Sequence, residues 1–309
     1  MQGNKRYSKA YIINRILNTE GNYIMMKLTM LIATHKQSDT IINEPPFYPI
    51  HAGKALHPEL NIGIPGDDKG DNISKKNASY CELTVVYWAW KNLKDFDYIG
   101  LCHYRRYFDI NFKEVNISDF IGTKDIITVE PRIRNSKSGN FEELIKYTSY
   151  EDAWIFFDTL LETYPLYREE IKQYFFDCIY FYPYNMFIMS HSLFDKYCDF
   201  LFPLLNKVEN RIKEHCYSRQ KRIMGYFGEW TLGLFILCNK LNVKGVPWIL
   251  KEESVHTQPP FKPTWKQRIR IAYRMYREKH RTHKQLQVIC PDFIYNGLKN
   301  DGIILSQVR

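Results

Sequence analysis

Short apolar blocks alternate with longer apolar or amphipathic stretches along most of this chain, with polar loops between them. KLTMLIATHK (27–36) is largely apolar through Ala33 and turns polar at Thr34, His35 and Lys36, which predicts a buried parallel strand and the loop after it. Residues 43–72, rich in Pro and Gly and including GIPGDDKGDNIS, predict a loop. NASYCELTVVYWAWKN (77–92) is apolar nearly all round and predicts one buried helix. YIGLC (98–102) and DIITVEPRIR (125–134) predict strands, the second leading into a basic loop. Ser149, three residues before Asp152, caps a predicted helix reaching about Thr163. Met186 to Met189 reads as a strand followed by a helix, GYFGEWTLGLFILCNKL (225–241) as an apolar helix, and VKGVPWIL (243–250) as a late strand. This alternation predicts an α/β fold, a mostly parallel sheet with helices on both faces.

Composition narrows the class. With 309 residues, 45% hydrophobic and 25% charged, the chain has the proportions of one large globular domain with appendages. No apolar run is long enough to span a bilayer, and the basic N-terminus lacks the apolar core of a secretory signal. The seven cysteines (81, 102, 178, 198, 216, 238, 290) form no Cys-x-x-Cys pair. Their scatter argues against a disulfide framework or zinc site and for a reducing cytosol. The net charge is +9, but nine Lys/Arg against the single acid Glu278 fall between Phe261 and Cys290, so the rest is nearly neutral. Residues 1–25 lack periodicity and read as an arm or a start-site extension. The expected organisation is that arm, a domain over 26–260 and a basic helical tail over 261–309, so a chain ending at Pro260 is expected to stay folded.

Candidate chemistry gathers where YIGLCHYRRYFD (98–109) runs from a strand straight into His103, Tyr104, Arg105 and Arg106. Ligands of open α/β sheets bind beyond the carboxyl ends of the strands. Guanidinium forks match phosphate oxygens, so a diphosphate fits there. The alternative is that the arginines pair with Asp95, Asp97 or Asp109. Thr34, His35 and Lys36 close the first strand in the same way. Two carboxylates, Glu82 and Glu229, stand alone in apolar segments, where an unpaired charge is costly and a carboxyl pKa rises. Glu229 follows Gly225 and Gly228, which would admit a ligand closely; it reads either as a general base or as a buried salt-bridge partner. Glu82 reads as structural, orienting Lys91 or one of the arginines. Asp71, Asn72 and Asn77 suit ribose or sugar hydroxyls, or a turn and a helix cap. For Asp67 and Asp68 the turn is favoured, and Asn185 is a lone amide in an apolar strand. The remaining histidines lack metal-ligand spacing.

At these residues the sequence resembles a family of bacterial polysaccharide-cluster glycosyltransferases long catalogued only as a domain of unknown function. Its pieces occur here in order: THK at 34–36, DNIS..N..Y.ELT..YW.WKN at 71–92, YIGL.HYRRYF at 98–108, NMFIM at 185–189, and an apolar helix carrying Glu229. The resemblance covers about Met26 to Leu250. It implies a GT-A-like, Rossmann-type fold and sugar transfer in capsule, O-antigen or exopolysaccharide synthesis, some members being linked to galactofuranose transfer from its UDP sugar. It implies a UDP-sugar donor held by His103, Tyr104, Arg105, Arg106, Thr34, His35 and Lys36, and a glycan or lipid-linked glycan acceptor. GT-A enzymes usually carry an Asp-x-Asp metal motif at the end of the middle strand. Here Cys102 to Arg106 stand there, so no cofactor is favoured, although Asp67 or Asp68 with a histidine offers oxygen ligands for Mn or Mg.

The tail supplies a further surface. As a helix, 264–281 places Trp265, Ile269, Ala272 and Tyr276 on one stripe and Lys266, Arg270, Arg274, Arg277 and Arg281 beside it. Such a basic amphipathic helix suits an anionic leaflet, hence a cytoplasmic protein peripheral on the inner face of the plasma membrane. The bland alternative is that the stripe docks on the domain. A nucleic-acid module is disfavoured, since the charge is not spread over a folded face and no motif accompanies it. A non-catalytic carbohydrate-binding protein would explain the 16% aromatic content but has no need of paired arginines.

Overall fold

The computed structural model describes residues 26–38, 41–133, 139–178, 180–212, 221–251, 264–279 and 287–309. The arm 1–25, Pro260, Arg281 and the side chain of Arg274 lie outside the described residues.

The first strand, β1 (Leu28–Thr34), pairs in parallel with β2 (Phe47–His51) and with β3 (Tyr98–His103), in a register that sets Ala33 beside His103. The chain then folds back through Tyr104 and Arg105 into β4 (Arg106–Phe108), which meets β3 through His103 and Arg106 alone. Beyond it come β5 (Ile126–Val129) and the short β6 (Arg132–Ile133), which pairs with β7 (Tyr180–Phe181) as a separate ribbon. Next, β8 (Phe187–Ser190) runs antiparallel between β3 and β5, β9 (Val243–Val246) lies parallel to β5, and β10 (Trp248–Leu250) pairs with β4. The path is therefore β2–β1–β3–β8–β5–β9, a mostly parallel α/β sheet of the GT-A-like kind. Because β8 opposes both neighbours, β1, β3 and β5 point their carboxyl ends at one edge.

Alternate residues of β1 enter different cores. Leu31 and Ala33 join the larger cluster with the helices Leu83–Asn92, Tyr150–Thr163, His191–Arg211 and Ile223–Cys238, while Met30 and Ile32 face a smaller cluster with Ile117, Ile121, Tyr107 and Phe108. Burial on both sides is why β1 reads as one apolar run. Ser149 caps its helix as expected, its Oγ accepting from the Asp152 N–H at 3.0 Å.

Three expectations need correction. The 77–92 helix is broken: Asn77–Tyr80 ends at Cys81, whose φ of 52° is left-handed, and helicity resumes at Leu83. The Asn77 amide holds this break, donating to the Cys81 carbonyl at 2.7 Å and to Thr84 Oγ1 at 3.0 Å. Residues 43–72 contain β2, an apolar strand hidden by its flanking prolines. The tail is not one unit either. Its basic helix, Trp265–Lys279, is exposed, whereas Cys290, Ile294, Leu298, Ile303, Leu305 and Val308 are buried in the larger core. Asp158, fully buried, anchors that return by accepting from Arg211 at 2.8 Å and from the Gln307 N–H at 2.7 Å.

A chain ending at Pro260 is thus expected to lose much of its stability, because six buried apolar side chains leave with it. Leu298→Ala alone should cost about 2–5 kcal/mol in chemical denaturation. A truncated chain unfolding at the full-length midpoint would restore the tail to a mere appendage.

Candidate functional site

Six segments meet at the carboxyl edge of the sheet. The end of β1 delivers Thr34, His35 and Lys36, and the β3–β4 turn delivers His103 to Arg106. Thr34 is buried and shapes its loop, its Oγ1 donating to the Lys36 carbonyl at 2.7 Å. His35 and Tyr104 meet edge to face at 5.3 Å, and Lys36 and Arg105 both lie over the Tyr104 ring, at 5.6 and 4.9 Å. Burial, then the neighbouring Lys36, Arg222 and Arg105, hold the His35 pKa below its usual value. His35 is therefore neutral at pH 7, in a strongly positive environment.

The turn before β8 supplies the centre. His103 Nε2 lies 2.5 Å from the Tyr184 carbonyl oxygen, which requires the proton on that nitrogen. Arg106 stacks on the Tyr184 ring at 4.5 Å and Arg132 at 5.0 Å, while Arg132 Nη2 donates to the Tyr184 hydroxyl. Arg106 Nε is buried and has no acceptor among the described residues. Neither Arg105 nor Arg106 pairs with Asp95 or Asp97 among those residues; both carboxylates are engaged with Lys27 instead. Asn185 sits in the turn and not in a strand, with φ 52°. Its amide donates to Glu82 Oε1 at 2.7 Å.

Glu82 and Glu229 are brought together by helix contact. Gly225, Gly228 and Glu229 share one face of the Ile223–Cys238 helix, being three and four residues apart. A β-carbon on Gly225 would lie 3.0 Å from Cys81 Sγ, and one on Gly228 would lie 2.5 Å from Leu83 Cδ1. The glycines therefore admit the Cys81–Leu83 segment, not a ligand, and Glu82 between them stands beside Glu229. Glu229 is half-buried. Burial pushes its pKa up to about 7; the Tyr184 backbone N–H, Arg132 and Arg106 oppose that shift, and the Glu82 charge adds to it. Lys91 is not the partner of Glu82, since it lies 3.3 Å over the Trp90 ring.

Three expected ligand contacts are spent within the fold. Asp71 accepts from Tyr87 Oη at 3.2 Å, and its carbonyl accepts from Asn92, roughly 8 to 15 Å along the helix from Glu82. Asn72 closes its own loop by donating to the carbonyls of Asp68 and Gly70. Asn77 holds the helix break. Asp67, considered for a metal, accepts from the backbone of Gly53 and Lys54 and from the Ser74 and Thr84 hydroxyls. No three His, Cys, Asp or Glu side chains converge as metal ligands among the described residues.

The sequence reading missed Arg132, Tyr184, Cys81 and Arg222, whose Nε donates to Cys81 Sγ at 3.1 Å. Arg132 and Arg222 each stand at the edge of an apolar segment, the signal that singled out Arg105 and Arg106. Cys81, Tyr184 and Asn185 all have positive φ, the kind of backbone strain that clusters at ligand and active sites.

A family model described as a domain of unknown function (DUF4422) matches residues 29–240. Among solved structures, the apo structure of the WbbM bifunctional glycosyltransferase is 28% identical, with a TM-score of 0.66. The match covers 75% of this chain and 46% of that one, so the chain corresponds to under half of WbbM. No curated protein matches the chain.

The raised pKa of Glu229 makes stability depend on pH. Between about 4.5 and 7 the unfolded chain releases a proton that the folded one keeps, so stability falls as pH rises and levels off above 7. Glu229→Gln lacks this penalty and should gain on the parent across that window, by at most about 3 kcal/mol. Glu82→Gln should lower the Glu229 pKa and move the window to lower pH. Parallel unfolding curves for parent and Glu229→Gln at every pH would refute the raised pKa.

Proposed function

The chain belongs to the DUF4422 family, and we propose that it is a glycosyltransferase moving a sugar from a UDP-sugar donor to a hydroxyl of a lipid-linked or growing polysaccharide. One observation carries this reading: Arg106 and Arg132 act on Glu229, which titrates near neutrality, Arg222 acts on Glu82, and Lys36 and Arg105 gather with Arg222 around His35. Cations grouped this way suit a diphosphate, and a carboxylate titrating near 7 suits proton transfer from a hydroxyl. The likeness to WbbM supports the same class of reaction.

In the proposed reaction the acceptor oxygen attacks the anomeric carbon while the bond from that carbon to the diphosphate breaks. The electron pair leaves with UDP, where Arg105 and Arg106 answer the developing charge. The acceptor proton passes to Glu229. Glu82, fixed by the Asn185 amide, keeps Glu229 basic enough for that transfer.

Arg105→Ala and Arg106→Ala should each weaken UDP binding and turnover by about 1.5–3 kcal/mol, with Lys restoring only part because it lacks the planar fork. Unchanged affinity and rate in both would sink the diphosphate assignment. Glu229→Gln should still bind UDP in a thermal-shift assay and lose transfer by about 10²–10⁴-fold. A chain stabilised by free glycans but never by UDP would instead be a carbohydrate-binding protein.

A further inference from the structure

The exposed helix Trp265–Lys279 has no place in the chemistry above. Trp265, Ile269, Tyr273 and Tyr276 are 67%, 59%, 60% and 63% exposed, and their spacing of four, four and three puts them on one stripe. Lys266, Arg270 and Arg277 are also exposed and follow one edge of that stripe. Arg268, on the other edge, reaches back to Glu130 at 3.6 Å. The helix holds six Lys/Arg against one acid.

Its position gives the surface a meaning. Glu130 directly follows β5, at the carboxyl edge of the sheet, and only Pro131 separates it from Arg132 of the site. The Lys251 N–H, on the segment leading toward the helix, donates to the Arg105 carbonyl at 2.8 Å. After the helix, the chain returns to the core through Cys290 and Leu298. The helix is thus tethered to the body through Glu130, two residues from Arg132 of the candidate site.

We infer that this helix is a docking surface for an anionic phospholipid bilayer, lying in the interface with its aromatic stripe inserted and its cations among the headgroups. Trp and Tyr favour the membrane interface, and flanking Lys/Arg are attracted to acidic lipid. A second copy of the chain is a poor occupant, since two such cationic helices repel. A nucleic acid would satisfy the cations but leave Ile269 and the rest of the stripe without an apolar environment. No helix among the described residues is long and apolar enough to cross a membrane, so the attachment is peripheral. Docked this way, the rim of the site faces the bilayer and a lipid-linked acceptor reaches it from the membrane plane. The inner leaflet of the plasma membrane, being anionic, fits this surface.

The inference does not rest on the proposed reaction, because vesicle binding is read without turnover. The full chain should sediment with vesicles of phosphatidylcholine and phosphatidylglycerol at low salt, not with phosphatidylcholine alone, and should be released as salt is raised. Lys266→Glu, Arg270→Glu and Arg277→Glu combined should weaken that binding at least about tenfold, with an unchanged unfolding midpoint. Trp265→Ala with Ile269→Ala should weaken it too, although no charge changes. Failure to sediment with anionic vesicles, or equal sedimentation of the charge-reversed variant, would overturn the proposal. So would binding to single-stranded RNA that outcompetes the vesicles and survives loss of Trp265 and Ile269, or sedimentation explained by self-association without lipid.

Discussion

Where Cys81 and Leu83 press against Gly225 and Gly228, a β-carbon on either glycine would lie within 3.0 Å of its neighbour. The Gly228 β-carbon would push the Leu83 side chain aside and the Gly225 one would press Cys81 by a few tenths of an ångström, so the missing methyl groups let the two segments meet undisturbed. The contact requires the helix beginning at Asn77 to break, and the break puts Cys81 in left-handed backbone. Asn77 and Asp67 hold that geometry, the first by answering the Cys81 carbonyl and the second by bonding Thr84. Glu82 is the residue the break presents, and it faces Glu229 across the glycine seam.

The Glu82 charge repels that of Glu229, which is part of why Glu229 titrates near 7. Arg132 and Arg106 limit that repulsion, and neither forms a salt bridge to Glu229 among the described residues. Arg106 and Arg132 spread their charge over the Tyr184 ring, and His103 and the Tyr184 backbone lock the turn from behind. Aromatic stacking thus positions these guanidiniums, and the Arg106 Nε has no acceptor among the described residues. A site neutralised within itself would have little left to offer a diphosphate.

The last part of the chain depends on the same body for a different reason. A basic helix with an aromatic stripe gains little by packing on a nearly neutral domain, yet it needs an anchor. Asp158 and the apolar side chains of 290–308 supply it, closing a loop that leaves the helix outside and its start near Glu130. The candidate site and the start of the basic helix thus lie at one edge of the sheet.

The sequence by itself determined the α/β alternation, the capped helix at Ser149, the strand ending in His103 and the isolation of Glu229. Each is local: a strand buried on both faces must be apolar, and a charge in an apolar segment is conspicuous wherever the chain goes. The helix break at Cys81, the strand among the prolines, the return of 287–309 and the roles of Arg132, Tyr184 and Arg222 were decided by tertiary structure. Gly225 and Gly228 looked like room for a ligand and proved to be room for Cys81 and Leu83. Asp71, Asn72 and Asn77 looked like sugar contacts because polar loop residues carry the same groups whether they bind a ligand or their own backbone. Which of the two they do depends on what other segments bring within hydrogen-bond distance, and residues far apart in sequence meet only when the chain is folded.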